Sequence, residues 1–573
     1  MGDSDEPISI LIDELRNEDI SSRLKSMSKL PTIALALGVE RTKSELIPFI
    51  IDSVYDEDEV LERLADELKR FIPLVGGPAH AHIILTPLES LAMVEETVVR
   101  DRAVQSLCAI AREMSAEHIE QYFEPLIRRL ATGDWFTSRT SACGLFAVAY
   151  NRGTGHVKQE MRSLYPSLCG DETPMVRRAA ASKIGPLVAE MEKDFVQNDF
   201  LKLYESFVAD DQDSVRLLIC PAFVQIIPKL DVETQESKII VMLKKFQEDK
   251  SWRVRNSLAN ILVDLVSALD ASLVNETINI FKTLVKDLEG EVRVQGAKNI
   301  FNFANGLPAE SKKNLTMTHI IPLIKDLSND PHQPVKTALA STMMKLAAII
   351  GPENTNEHLL PLFVGFLKDE CADVRLNVIN TISTVHDVIG FESFQNTLLP
   401  AVLKLAEDTK WRVRLAILEH MPLSRIFKTS LVNHVFSIRE AACTQIQKIV
   451  DIYGFEWARD VVLPKVFELA AEQNYLRRMT VLFQINFLMS ASLKNKSDMV
   501  EIADRCVSTV CNMHKDEVAN VKFNVAKTLG SMSTLISKKN HATVKSALDS
   551  LSKDSDIDVS FFANEALEKM AKL

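Results

Sequence analysis

The chain has 573 residues, of which 46% are hydrophobic and 25% charged, with a net charge of −12 at pH 7. That length exceeds what a single hydrophobic core holds, so several domains or a repeat array are required. The acidic balance argues against general affinity for nucleic acid or anionic lipid, and no run of about 18 apolar residues offers a membrane span.

The first ten residues, MGDSDEPISI, lack the basic-then-apolar order of a signal peptide. Gly2 invites an acylation reading, but Glu6 stands where Ser or Thr is wanted. Eight cysteines are scattered from Cys108 to Cys511 without a C-x-x-C pair. Small buried thiols in a reduced compartment fit that pattern, so a cytoplasmic, and also nuclear, location is expected.

One short pattern recurs along the whole chain. An acid is followed, a few residues on, by an apolar or small residue and then usually Arg or Lys. The first residue of the pair falls at Ser22, Leu61, Val99, Ser138, Val176, Val215, Val254, Val292, Val335, Val374, Val413, Ile438, Leu476, Val521 and Val559. Most steps are 38 or 39 residues. Two copies share the string W-R-V-R, starting at Trp252 and Trp411. A second marker is Pro opening a hydrophobic run, at Pro48, Pro87, Pro125, Pro166, Pro322, Pro361, Pro400 and Pro464.

Pro suits the first turn of a helix, where its missing N–H has no intrahelical partner. Each unit therefore reads as helix A from the Pro, a tight turn, then helix B near the recurring pair. The acid is expected to cap helix B. Arg177, Arg216, Arg255, Arg293, Arg375 and Arg414 are placed to bond the next repeat's Asp, forming a ladder. Apolar residues at helical spacing, as in VRNSLANILVDLV, face inward. Two helices at this period predict an all-α HEAT-repeat α-solenoid of fifteen helix pairs in a curved superhelix.

One step is short. Val413 to Ile438 spans 25 residues, so repeat twelve is expected to be truncated, with most of its helix A missing. The chain then divides into residues 1–423, repeats 1–11, and residues 424–573, repeats 12–15.

Catalytic patterns are lacking. There is no P-loop, and Gly153-Thr154-Gly155 lacks a third Gly and the preceding strand. His80-x-His82 has no third metal ligand nearby in sequence, and His386-Asp387 reads as a helix-end pair. No catalytic residue, metal or cofactor is expected. Function in such an array lies on the exposed ridge of turns. Just before the recurring pair stand Phe136, Pro174, Trp252, Trp411 and Phe436, with Tyr475 one position later. Large aromatics beside Arg and Lys suit interface anchors rather than solvated turns.

At DWFTSRTSACGLF, DETPMVRRAAASKIG, DKSWRVRNSLA, DTKWRVRLAILEHMPL, NYLRRMTVLFQIN and VANVKFNVAKTL the chain resembles the scaffold (A) subunit family of serine/threonine protein phosphatase 2A. The resemblance covers essentially every repeat. It implies a non-catalytic horseshoe scaffold that takes part in serine/threonine dephosphorylation. The phosphatase catalytic subunit would sit on the C-terminal repeats and an interchangeable regulatory (B-type) subunit on the N-terminal ones. By resemblance, regulatory contacts fall to Glu95, Glu96, Trp135, Phe136, Thr137, Glu172, Thr173, Pro174, Met175, Arg178 and Trp252. Catalytic-subunit contacts fall to Trp411, Arg412, Arg439, Tyr475, Arg478, Val518, Asn520 and Lys522. Glu172 replaces the family's usual Asp, Arg477 its His and Lys522 its Arg. A truncated repeat twelve is expected to weaken catalytic-subunit binding more than regulatory binding. Rival readings are a karyopherin-like transport receptor, a coat or chromatin adaptor, and a cryptic enzyme.

Overall fold

The computed structural model describes residues 18–52, 56–382, 389, 391–420, 435–490 and 496–572. Among these residues the regular structure is helical and no strand occurs. By internal contacts the chain divides into two compact units, Met1–Leu323 and Ile324–Leu573.

Among the described residues, fifteen helices start at the positions the recurring pair marks. In the first unit they are Ile20–Ser28, Asp58–Leu68, Thr97–Glu113, Phe136–Ala142, Pro174–Glu190, Asp213–Ile219, Trp252–Ala268 and Gly290–Gly306. In the second they are Gln333–Thr342, Ala372–Asn380, Trp411–His420, Phe436–Trp457, Tyr475–Met489, Ala519–Met532 and Ile557–Ala571. These B helices pack on one another in order within each unit; Trp252–Ala268 lies on Gly290–Gly306, and Ala519–Met532 on Ile557–Ala571. The third residue of a B helix is buried almost without exception, as Val176, Val254, Val374 and Val521 show. The sequence register is off by one residue in two repeats. The structure puts Val60, not Leu61, and Arg477, not Leu476, at that third position.

The A helices correct the proline reading. Pro does not open them but sits in their middle. In repeat four, helix A begins at Ala116 behind the Ser115 cap, passes through a π turn at Ile119–Phe123, and continues as Glu124–Ala131, with Pro125 second in that segment. The N–H of Glu124 bonds Ile119 five residues back. The same bond precedes Pro48, Pro322, Pro361, Pro400 and Pro464. The reason is steric. A proline within a helix clashes with the carbonyl four residues earlier and donates nothing. Widening the preceding turn to π geometry moves that carbonyl aside. The turn survives without Pro at Val196–Phe200, so it belongs to the repeat and the prolines exploit it. Pro166 lies inside the unbroken helix Gly155–Cys169.

Between helix B and the next helix A, a positive φ is needed where the chain reverses sharply. Gly38, Gly351 and Gly454 supply it, with φ of 76°, 84° and 81°. The core is aliphatic and aromatic, with Phe146 edge-on to Tyr165 at 4.9 Å and Phe281 stacked on Phe303 at 4.0 Å. The hydroxyls of Tyr165 and Tyr204 donate to the carbonyls of Ala180 and Ala222. All eight cysteines are free, and burial pushes the thiols of Cys143, Cys220, Cys443 and Cys506 up to about 12. They act as small apolar side chains.

The segment expected to hold the shortened helix A of repeat twelve, residues 421–434, lies outside the described residues. On either side of it, Trp411–His420 and Phe436–Trp457 pack directly against each other.

A Cβ at Gly38 would meet no neighbouring atom within 4 Å, so the cost of Gly38→Ala is conformational alone. That cost is about 1–3 kcal/mol. Amide hydrogen exchange across Leu30–Asp52 should accelerate by about tenfold or more, with repeats beyond the fourth unchanged.

Candidate docking ridge

The turn from helix A to helix B is built the same way in most repeats. In repeat six, Arg216, fourth in its helix, reaches back with Nη1 to the carbonyls of Asp210 and Asp211 at 2.8 and 3.3 Å. Its Nε and Nη2 donate forward to both oxygens of Asp249, in the next turn, at 2.6 and 2.9 Å. Asp249 in turn accepts from the N–H of Ser251, the N-cap of the next B helix. One guanidinium thus ties two turns, and one carboxylate ties a cation to a helix start.

The rung repeats as Arg139–Asp171, Arg177–Asp210 and Arg255–Asp287 in the first unit. In the second it is Lys336–Asp369, Arg375–Asp408, Arg478–Asp516 and Lys522–Asp554. Of the six arginines anticipated from sequence, Arg177, Arg216, Arg255 and Arg375 form this rung, and Arg293 and Arg414 donate to the carbonyls of their own turns; two points of the reading are corrected. The Asp lies two residues before the N-cap and fixes the turn instead of capping the helix directly. In repeat thirteen the rung is Arg478, and Arg477 instead approaches Glu472 of its own turn at 3.3 Å.

Because the ladder occupies the Arg and Asp side chains, the remaining turn residues can face outward. Trp252, Trp411, Phe436 and Tyr475 are each the first residue of a B helix, so Tyr475 shares the Trp register. All four are exposed, Trp252 and Trp411 at 40% and Phe436 at 53%. Phe136 holds the same place in repeat four, and Trp135 beside it is 76% exposed. Apolar residues that sequence reasoning missed lie in the same turns. Leu288 is 97% exposed and Ile557 83%, and Met93 is also exposed; their position in the turn column was the available signal.

Of the regulatory set, Glu95, Glu172, Pro174, Met175 and Arg178 are exposed, and Arg178 lies against the Met175 sulfur at 3.7 Å. Glu96 caps Thr97–Glu113 by accepting from the N–H of Val98. Thr173 is the N-cap of Pro174–Glu190. Thr137 is buried and donates to the carbonyl of Met93 at 2.9 Å, so it braces adjacent turns. All these residues, with Trp252, lie on turns three to seven of the first unit.

The catalytic-subunit set lies wholly in the second unit. Trp411, Arg412, Tyr475 and Asn520 are exposed, with Arg412 5.8 Å from the Trp411 ring centre. Val518 is a half-buried N-cap. Arg439 is buried and lies 5.8 Å from the Phe436 ring centre. Arg478 and Lys522 are rungs. Burial opposes ionisation of Asp516, but its hydrogen bond from Arg478 prevails and holds its carboxyl below the ordinary range. The hydrogen bond from Lys522 does the same for Asp554. Lys522 makes one contact there, at 2.5 Å, where an Arg makes two.

The other sequence candidates settle as structure. Thr154 accepts from the N–H of Val157 as a helix cap. His82 stacks on Tyr122 at 4.1 Å with His118 edge-on at 6.0 Å, yet no three metal-ligating side chains converge among the described residues. His386-Asp387 lies outside the described residues.

Paired helices, a salt-bridge ladder and a ridge of exposed aromatics define a HEAT-repeat α-solenoid. Residues 270–351 match the family described as PPP2R1A-like HEAT repeat. The beta isoform of the 65 kDa regulatory subunit of human serine/threonine-protein phosphatase 2A is 60% identical over 358 residues, covering 62% of this chain and 60% of that protein. The Caenorhabditis elegans probable serine/threonine-protein phosphatase PP2A regulatory subunit is 62% identical over 33% of this chain and 32% of its own length. The Dictyostelium discoideum protein phosphatase 2A scaffold subunit is 53% identical over 34% of each. The match thus spans about 60% of the human relative and about a third of the other two. By sequence the chain is homologous to the 65 kDa regulatory subunits of protein phosphatase 2A. Solved structures of Kap95p with RanGDP and of the Kap95:Nup1 complex superpose with TM-scores of 0.54 and 0.52 at 12% identity. The first covers 99% of this chain and 87% of Kap95p, and the second 98% and 76%. That likeness is one of fold alone.

The folded-state pKa of Asp554 lies below its unfolded value of about 3.9. Its contribution to stability is therefore full above that value and fades as pH falls through the folded pKa. Acid titration of Asp554→Asn from about pH 5 to about pH 2 should show a smaller loss of C-terminal stability than the parent, read as exchange protection in Ile557–Ala571.

Proposed function

We propose that this chain is a non-catalytic scaffold of a phosphatase 2A-type serine/threonine phosphatase. Its C-terminal turns, at Trp411, Arg412, Tyr475 and their neighbours, hold the catalytic subunit. Its turns three to seven, from Glu95 to Trp252, hold an interchangeable regulatory subunit. The observation that carries the reading is the recurrence of Trp252, Trp411, Phe436 and Tyr475, exposed, at one position of the ridge. Evolutionary kinship with proteins named as phosphatase 2A regulatory and scaffold subunits supports it. The karyopherin alternative rests on fold similarity only.

The mechanism is effective concentration. One chain that carries both docked proteins lets the regulatory subunit present its substrate to the phosphatase at far above its free concentration. Aromatic anchors in tight turns lose little conformational entropy on binding, which suits them to this role.

The test is co-elution of the full chain with a phosphatase 2A catalytic subunit on size exclusion with light scattering. A one-to-one complex is expected, and Trp411→Ala should weaken it by roughly ten- to a hundredfold, in keeping with a buried aromatic anchor. Absence of any complex, or phosphatase activity that stays with the chain alone through orthogonal columns, would sink the proposal.

A further inference from the structure

Helix A of repeat three opens with the segment Pro78–Ile84, which carries His80 and His82, and runs on as Leu85–Leu91. Helix A of repeat four opens with Ala116–His118 and the π turn Ile119–Phe123, which carry His118 and Tyr122. The His82 ring lies flat on Tyr122, with 4.1 Å between centres and 12° between planes. His118 stands edge-on to both, 6.0 Å from His82 and 5.6 Å from Tyr122, and His80 lies 6.4 Å from His82. Lys43, from helix A of repeat two, completes the group. A methyl group on Gly76 would meet its Nζ at 3.6 Å and His80 Cδ2 at 3.0 Å.

His82 is the enclosed member. It is half-buried, and its Nδ1 is shut off from solvent with only the Ala79 backbone to ease a charge among the described residues. The groups around it are cationic or engaged elsewhere. His80 shares its segment, and His118 faces it from repeat four. Lys43 lies 3.4 Å from Glu40. The neighbouring segment Pro73–Val75 carries no charge, and on Lys69–Phe71 the cations Lys69 and Arg70 are held by Asp66 and Glu67. Glu89, on Leu85–Leu91, is held by Arg129. In repeat four, Glu117 bonds its own N–H and Ser115, and Glu120 accepts from Thr154 and lies 3.6 Å from His156. Burial holds the His82 imidazole below its ordinary range, and His118, His80 and Lys43 act in the same direction.

Both helices lead into the ridge. Leu85–Leu91 ends at the turn that carries Glu95 and Glu96, and Glu124–Ala131 at the turn that carries Trp135, Phe136 and Thr137. Thr137 joins these two turns through the carbonyl of Met93. The ring cluster is the matching contact at the opposite ends of the same helices.

We infer that the His82–Tyr122 stack, with His118 on its edge, is a proton-sensitive joint between repeats three and four: protonation loosens the two A helices and, through them, the register of turns three and four, so a regulatory subunit docked there binds less tightly in acid. The partner in this inference rests on the scaffold reading, whereas the joint rests on the ring geometry alone. An imidazole held below about 6.5 in the folded chain stabilises it fully above that value, and the contribution is lost as pH falls through the folded value. A cation gained at His82 finds neither water nor a free carboxylate, and three like charges oppose it.

The test uses the full chain and His82→Phe, which keeps a ring on Tyr122 but cannot titrate. Amide exchange over residues 78–91 and 116–131, corrected for its intrinsic pH dependence, is compared at about pH 7.5 and about pH 5.5. Protection in the parent should fall by about threefold or more, and in His82→Phe by less than about twofold. Equal losses in the two proteins overturn the joint. Affinity for a phosphatase 2A regulatory subunit over the same pH pair should weaken by about threefold or more in the parent and stay within about twofold in His82→Phe. Equal weakening overturns the link from the joint to the ridge and leaves the scaffold reading standing. A regulatory subunit that binds the parent at neither pH overturns the scaffold reading, and the exchange data still decide the joint.

Discussion

The salt-bridge rung is the interaction on which the rest of the fold depends. A lone buried ion pair is weak evidence for stability, because desolvating both charges offsets most of their attraction. The rung here works differently. Each guanidinium uses one nitrogen for two carbonyls of its own turn and two for the next repeat's carboxylate, as in Arg255 with Asp249, Lys250 and Asp287. The carbonyls and the N-cap N–H of the turn, which no helix or sheet pairs, thereby find partners within the protein. The rung therefore contributes more to geometry than to net stability. It fixes the spacing and rotation of one turn against the next, and hence the positions of the side chains between them.

That constraint explains why the ridge can carry exposed aromatics. Trp252 and Trp411 stand at the first residue of a helix whose fourth residue is pinned to the carbonyls of its own turn. Their backbones are rigid before any partner arrives, so an anchor there loses little freedom on docking. In a flexible loop the same ring would fold back onto its own apolar surface.

Much of this was legible in the sequence. The repeat period, the fifteen B-helix starts and the ladder arginines all follow from one recurring string, because each rung needs the same residues at the same spacing. The misreadings share a cause. Pro48, Pro125 and Pro361 look like helix starts because a helix interior normally rejects proline; the π turn that admits them leaves no compositional trace. Leu61 reads one residue late and Leu476 one early because apolar residues crowd both possible registers, and only hydrogen bonds such as those of Arg478 decide. Thr137 reads as a surface contact in a turn, but its hydroxyl is directed to Met93, a long-range pairing that sequence spacing does not encode.

Repeat twelve shows how the B-helix layer is carried past a short step. Trp411–His420 and Phe436–Trp457 begin 25 residues apart, yet they still pack as neighbouring B helices. The B-helix layer therefore continues through the short repeat, since its contacts are apolar and local. In sequence, the position two before the N-cap Val435, where other turns carry the rung's Asp, is Asn433. Apolar packing needs only complementary surfaces, whereas an ion pair requires one particular group at one particular distance. Arg414 donates through Nη1 to the carbonyls of Asp408 and Thr409 in its own turn at 2.6 and 3.4 Å, as the other guanidiniums do in theirs.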